Sequence, residues 1–146
     1  MRLFFILSLF YFSFFNNCFI NPKFTLKRKE RLKSMKAIQQ LFKEGKSFSD
    51  FPLRIIYMEN GRQDGNLQAG FSVSKRHFKR AVDRNRVKRL IRESYRLQKN
   101  NLAKELEKKE KKIAVFFIYT SGDLPVFEQL YEKMGNVLER IEKSVI

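Results

Sequence analysis

Lys75, Arg76, Lys79, Arg80, Arg84, Arg86, Lys88, Arg89, Arg92 and Arg96 fall within one short stretch, with Asn85 among them. Guanidinium groups present a planar fork of donors that meets phosphate oxygens two at a time, and ammonium groups add point charge. The chemistry open to this set is the holding of a polyanion, not the making of bonds. His77 is the sole histidine and Cys18 the sole cysteine. That removes His-pair metal motifs, Cys/His zinc sets and intramolecular disulfides. No Ser-His-Asp arrangement and no Walker-type glycine loop stands out. We expect no catalytic side chain and no metal ligand here.

These cations need an element to carry them. With Val87 at zero on a helical wheel, Leu90, Ile91, Ser94 and Tyr95 cluster beside it and predict a core-facing stripe. Asn85, Lys88, Arg89, Arg92 and Arg96 fall opposite, and Arg84 and Arg86 flank the stripe in the first turn. A solvated helix usually sets Glu against Lys along its polar face. This face carries almost no acid: Asp83 sits at the start and Glu93 lies off the line. Like charges on one ridge weaken a helix, so phosphate is the natural countercharge. Lys75, Arg76, Lys79 and Arg80 extend the patch through the preceding turn, as suits binding by counterion release.

The whole chain shares this bias. It has 146 residues, enough for one modest core, with 31 Lys plus Arg against 15 Asp plus Glu and a net charge of +16. Such an excess repels itself in the compact state and fits a nucleic acid, an anionic membrane or another polyanion as partner.

The remaining elements are legible as periodicities. Lys27 to Lys33 is a basic lead-in; Ser34 is placed to cap a helix carrying Met35, Ile38, Leu41 and Phe42, and Gly45 stops it. Leu53, Ile55 and Tyr57 alternate with Arg54, Ile56 and Met58 as a strand. Asn60-Gly61 and Asp64-Gly65 predict a turn, and Leu67 to Ser74 a second extended run. A helix is expected over about Ala81 to Lys99, then a solvated helix end and loop over Lys104 to Lys112. Ile113 to Thr120 predicts a central strand. Pro125 fits the start of a last helix, whose apolar stripe is Phe127, Leu130, Tyr131, Met134, Val137, Leu138 and Ile141. The order is helix, two or three strands, helix, strand, helix. It implies an α+β fold, one small sheet with helices packed on it.

Leu3 to Ile20 is uncharged and rich in Phe, Leu and Ile, and composition breaks at Asn21-Pro22. Residues 1–20 are read three ways: a start codon placed too early, a membrane anchor, or a cleaved signal. Residues 21–146 are expected to form the single domain.

The run Val73-Ser74-Lys75-Arg76, then Ala81-Val82, then Arg84 through Glu93 closely resembles the signature of the bacterial ribonuclease P protein family. Glu30-Arg31-Leu32-Lys33 and Leu41 through Ser47 resemble that family's opening helix, and the likeness covers about Phe24 to the C-terminus. It implies a two-layer α/β sandwich like the second domain of a small-subunit ribosomal protein, with a left-handed crossover from strand to helix. It implies a cytoplasmic subunit of an endoribonuclease that joins a catalytic RNA and assists removal of the 5′ leader of precursor tRNA. Mg²⁺ would be bound mainly by the RNA. No stable membrane partner and no protein partner is expected.

By position, Arg84, Asn85, Arg86, Lys88, Arg89 and Arg92 match the family's basic helix, which meets the catalytic RNA beside the leader path. Ile38, Phe42, Tyr57 and Ser72 are the expected leader cleft between first helix and sheet. Ile38 stands where many relatives carry Phe. The alternatives are a general, ribosomal-like RNA-binding module and a membrane-anchored basic protein.

Overall fold

A computed structural model describes residues 24–59 and 65–145. The predicted turn residues 60–64 and the hydrophobic extension 1–20 lie outside the described residues. Among the described residues no helix is long and apolar enough to cross a membrane.

Helix α1 (Met35–Glu44) begins where predicted: the Ser34 Oγ accepts from the Ala37 N–H at 3.5 Å. Gly45 ends it for reasons of space. A Cβ there would lie 2.3 Å from the Leu41 carbonyl oxygen and 2.8 Å from Ile56 Cγ2. The chain continues directly into β1 (Lys46–Asp50), hairpins through a cis Phe51-Pro52 bond into β2 (Leu53–Glu59), and later forms β3 (Leu67–Val73). Strand β1 adds a strand where none was named. Its Ser-Phe-Ser core is too short and polar to announce one, and it owes its place to pairing with β2.

Helix α2 (Ala81–Lys108) is followed by β4 (Ile113–Tyr119) and α3 (Phe127–Val145). The sheet order is β1-β2-β4-β3. Strand β4 is antiparallel to β2 and parallel to β3, which reaches it only through α2. Its central position agrees with its apolar sequence.

The sheet is apolar on both faces. On one, Leu53, Ile55, Val115, Phe117 and Ala69 meet Val87, Ile91 and Tyr95 of α2 and Met134, Val137 and Ile141 of α3. This is the main core of the sandwich. On the other, Ile56, Ala114 and Phe116 meet Leu32 and Leu41 beneath α1. Helix α2 runs nine residues past the predicted end at Lys99. Leu102 and Leu106 continue its buried stripe against α3, and the charge run holds the helix's last turn and the short loop after it, as expected. Helix α3 starts at Phe127, two residues beyond Pro125.

Residues 24–32 run as a strap across α2 and the β3 edge. Leu26 enters the main core, Arg31 bridges Ala69, and the Leu32 N–H donates to the Ala69 carbonyl at 2.9 Å. Lys99, only 3% exposed, donates to Glu30 Oε1 at 2.5 Å. This ion pair ties strap to helix; removing Glu30 alone would leave the buried Lys99 charge unpaired.

Candidate nucleic-acid interface

The turn between β3 and α2 is fixed by one apolar side chain. Phe78 is buried with its ring 6.1 Å from that of Tyr119, and its N–H donates to the Ser74 carbonyl at 3.3 Å. With Phe78 held inside, Lys75, Arg76, His77, Lys79 and Arg80 are left exposed. The sequence reading missed Phe78, whose signal was a lone aromatic inside a cationic run.

Helix α2 buries Val87, Ile91, Ser94 and Tyr95 as predicted, with Leu90 half-buried against the core. Asn85, Arg86, Arg89 and Arg92 are exposed and Lys88 is half-buried. From Asn85 to Arg92 the ridge spans about 10 Å. None of the cations from Lys75 to Arg92 makes an ion pair among the described residues. The pairs that do form lie elsewhere, at Glu30–Lys99, Glu59–Lys111, Asp50–Lys133 and along the outer helix turns. The ridge keeps its charge unspent. Arg92 sits 5.9 Å above the Phe71 ring, which steadies it without neutralising it.

Two predicted members do different work. Arg84 is half-buried, and its Nη1 donates to the Phe78 carbonyl at 2.8 Å and the Lys79 carbonyl at 2.6 Å. It clamps the basic turn to the helix start. Arg96 donates twice to Glu93, at 2.8 and 2.5 Å, and also to the Phe24 carbonyl. It closes the strap and is not part of the open ridge. Helical spacing places a side chain on a face but cannot reveal a carbonyl brought there by a distant segment.

The cleft residues divide. Phe42 is 48% exposed, with its ring edge-on to Phe116 at 5.1 Å. Ile38 is half-buried in the same cluster, and Ser72, paired in register with Ile118, shares that face. Tyr57 does not. It lies on the opposite face, 8% exposed, packed edge-on to Phe48 at 6.0 Å. The β2 residue turned toward α1 is Ile56. Both faces of β2 are apolar, so alternation alone could not say which one met the first helix. The aromatic floor comes instead from Phe116. Gly70 makes room for it: a Cβ there would lie 2.4 Å from the Phe116 ring.

Among the described residues no three His, Cys, Asp or Glu side chains converge to hold a metal ion. The described residues do not fit a Mg²⁺ site.

An α+β fold with an unneutralised cation ridge on the α2 side of the sheet and a half-open aromatic cleft on the α1 side is that of a nucleic-acid-binding protein. Comparison with known proteins narrows this. The family profile described as Ribonuclease P matches residues 26–142. The ribonuclease P protein component of Porphyromonas gingivalis is 38% identical over 125 residues, covering 85% of this chain and 91% of that protein. That of Clostridium novyi is 31% identical, covering 79% and 96%. Among solved structures, the RNase P protein of Thermotoga maritima superposes with a TM-score of 0.58 at 25% identity, covering 76% of this chain and 96% of that one. The chain belongs to the ribonuclease P protein family, the protein components of the tRNA-processing ribonuclease. Its partner is accordingly an RNA.

Proposed function

We propose that this chain joins a catalytic RNA and assists removal of the 5′ leader from precursor tRNA. The observation that carries this reading is the ridge Asn85, Arg86, Lys88, Arg89 and Arg92, which no acid of the described chain neutralises. Its cations, with those of the Lys75–Arg80 turn, lower the repulsion between RNA phosphates that would otherwise meet at the cleavage site. Phe42, Phe116 and Ser72 line the cleft on the α1 side of the sheet, where a single strand stacks with little sequence preference. The RNA subunit holds the Mg²⁺ that activates water, and the protein reduces how much Mg²⁺ the complex requires.

The test is cleavage of a 5′-extended precursor tRNA by the cognate RNA at low Mg²⁺, with and without the full chain. Strong stimulation is expected. Tight RNA binding with no stimulation would reduce the protein to a general RNA-binding module.

A further inference from the structure

One row of residues crosses the whole sheet on the α1 side. Ser49 of β1 pairs in register with Arg54 of β2, Arg54 with Ile118 of β4, and Ile118 with Ser72 of β3. Ile118 packs with the α1-side cluster, which fixes the face of the row. Helix α1 does not roof it. The helix sits over Ile56, Ala114 and Phe116, nearer the other end of the sheet, while Ser49 and Arg54 are exposed and Ile118 and Ser72 half-buried. Arg54 makes no ion pair and no hydrogen bond among the described residues. Asp50, the nearest acid in sequence, is engaged with Lys133 at 3.0 Å.

An unpaired arginine in the middle of a sheet surface is conspicuous. Strand interiors favour β-branched and aromatic residues, and an exposed guanidinium adds nothing to the ladder. Its neighbours offer small hydroxyls and one aliphatic surface, with the exposed Phe42 ring packed over Phe116 one row away. The row begins at Ser72, three residues before the basic turn, and ends at the β1 edge about 14 Å further on, taking the usual strand spacing. The row therefore runs from the cationic turn past Ile118 to the cationic Arg54 and on to Ser49, with no acid among its members.

We propose that Arg54 is a phosphate-binding residue on the far side of the cleft, where its guanidinium takes a backbone phosphate of the single strand already read as lying there. The inference rests on the reading above for the strand's identity as a tRNA leader, but its geometry is independent of that. A phosphate contact is blind to sequence and depends on length. A leader too short to cross the cleft never reaches it.

Two measurements test this. With the assembled ribonucleoprotein, Arg54→Ala should weaken binding of a long-leader precursor about tenfold, with Arg54→Lys retaining most of it. A precursor with a one-nucleotide leader should bind both variants as it binds wild type. Equal losses on both substrates, or no loss on either, would overturn the assignment. With the full chain alone and a single-stranded oligouridylate, Arg54→Ala should weaken binding and make the dependence of affinity on salt shallower by about 0.7 in the log–log slope. An unchanged slope would sink the phosphate contact even if the holoenzyme behaved normally. If wild-type protein binds the oligonucleotide through Arg54 yet fails to stimulate cleavage, the row stands and the tRNA reading falls.

Discussion

Tyr95 is fully buried between Phe71 and Phe117, its ring centroid 5.5 and 5.4 Å from theirs, and its hydroxyl has no hydrogen-bond partner among the described residues. Burial, reinforced by the nearby Glu30 carboxylate, pushes its ionisation far above the ordinary value of 10.0. The folded chain thus holds this proton more tightly than the unfolded chain does. Its contribution is complete below about pH 10 and declines as pH rises above it. Tyr95→Phe should raise stability by about 1 kcal/mol, because a stranded hydroxyl is removed while the ring stays. It should also flatten the alkaline loss seen in wild type. Urea melts at pH 8 and pH 11 measure both effects; a destabilised variant at pH 8 would mean the hydroxyl has a partner.

At the scale of elements, the end of α2 shows how a helix stops where sequence gives no glycine. The Glu110 N–H donates to the Glu107 carbonyl at 3.2 Å and the Lys111 N–H to the Leu106 carbonyl at 2.9 Å. This is the paired closure that ordinarily uses a left-handed glycine, and Glu110 adopts it at φ 53°. An L-residue there costs about 1 kcal/mol. Glu110→Gly should therefore stabilise the chain by roughly that amount in thermal or chemical melts, and no gain would mean that the turn is relaxed as it stands.

The same ending marks where the sequence stopped being informative. The stripe Val87, Ile91, Ser94 and Tyr95 was legible because helical period and burial coincide. The extension through Leu102 and Leu106 was not, because only two apolar residues stand among many charges. Helix α3 and β4 were read from unbroken patterns. Strand β1 was invisible because its stability comes from β2. In the cleft, Phe42 and Ser72 face the same side of the sheet and Tyr57 faces the other. A strand apolar on both faces carries no mark of which neighbour covers which.

For the molecule as a whole, charge segregation decides behaviour. Glu30, Asp50, Glu59, Glu93, Glu105 and Glu139 are held in ion pairs elsewhere, while the cations from Lys75 to Arg92 have none among the described residues. Arg89→Ala with Arg92→Ala should leave the fold intact, since both side chains are exposed. The double variant should weaken assembly with the catalytic RNA and make its log–log salt dependence shallower by about 2. Assembly measured across a salt series checks this, and an unchanged slope would remove these two residues from the RNA face.

Strand β4 lies between β2 and β3, yet it is the last strand in the chain. Nothing pairs β3 to the rest of the sheet until β4 is in place. During synthesis the cations of α2 therefore leave the ribosome before the strand that organises them, which also carries Phe116 and Ile118 of the cleft. A nascent chain ending before Tyr119 is a polycation without its binding surface. Specific RNA recognition is in this sense a late event in the life of each molecule, withheld until the polypeptide is almost complete.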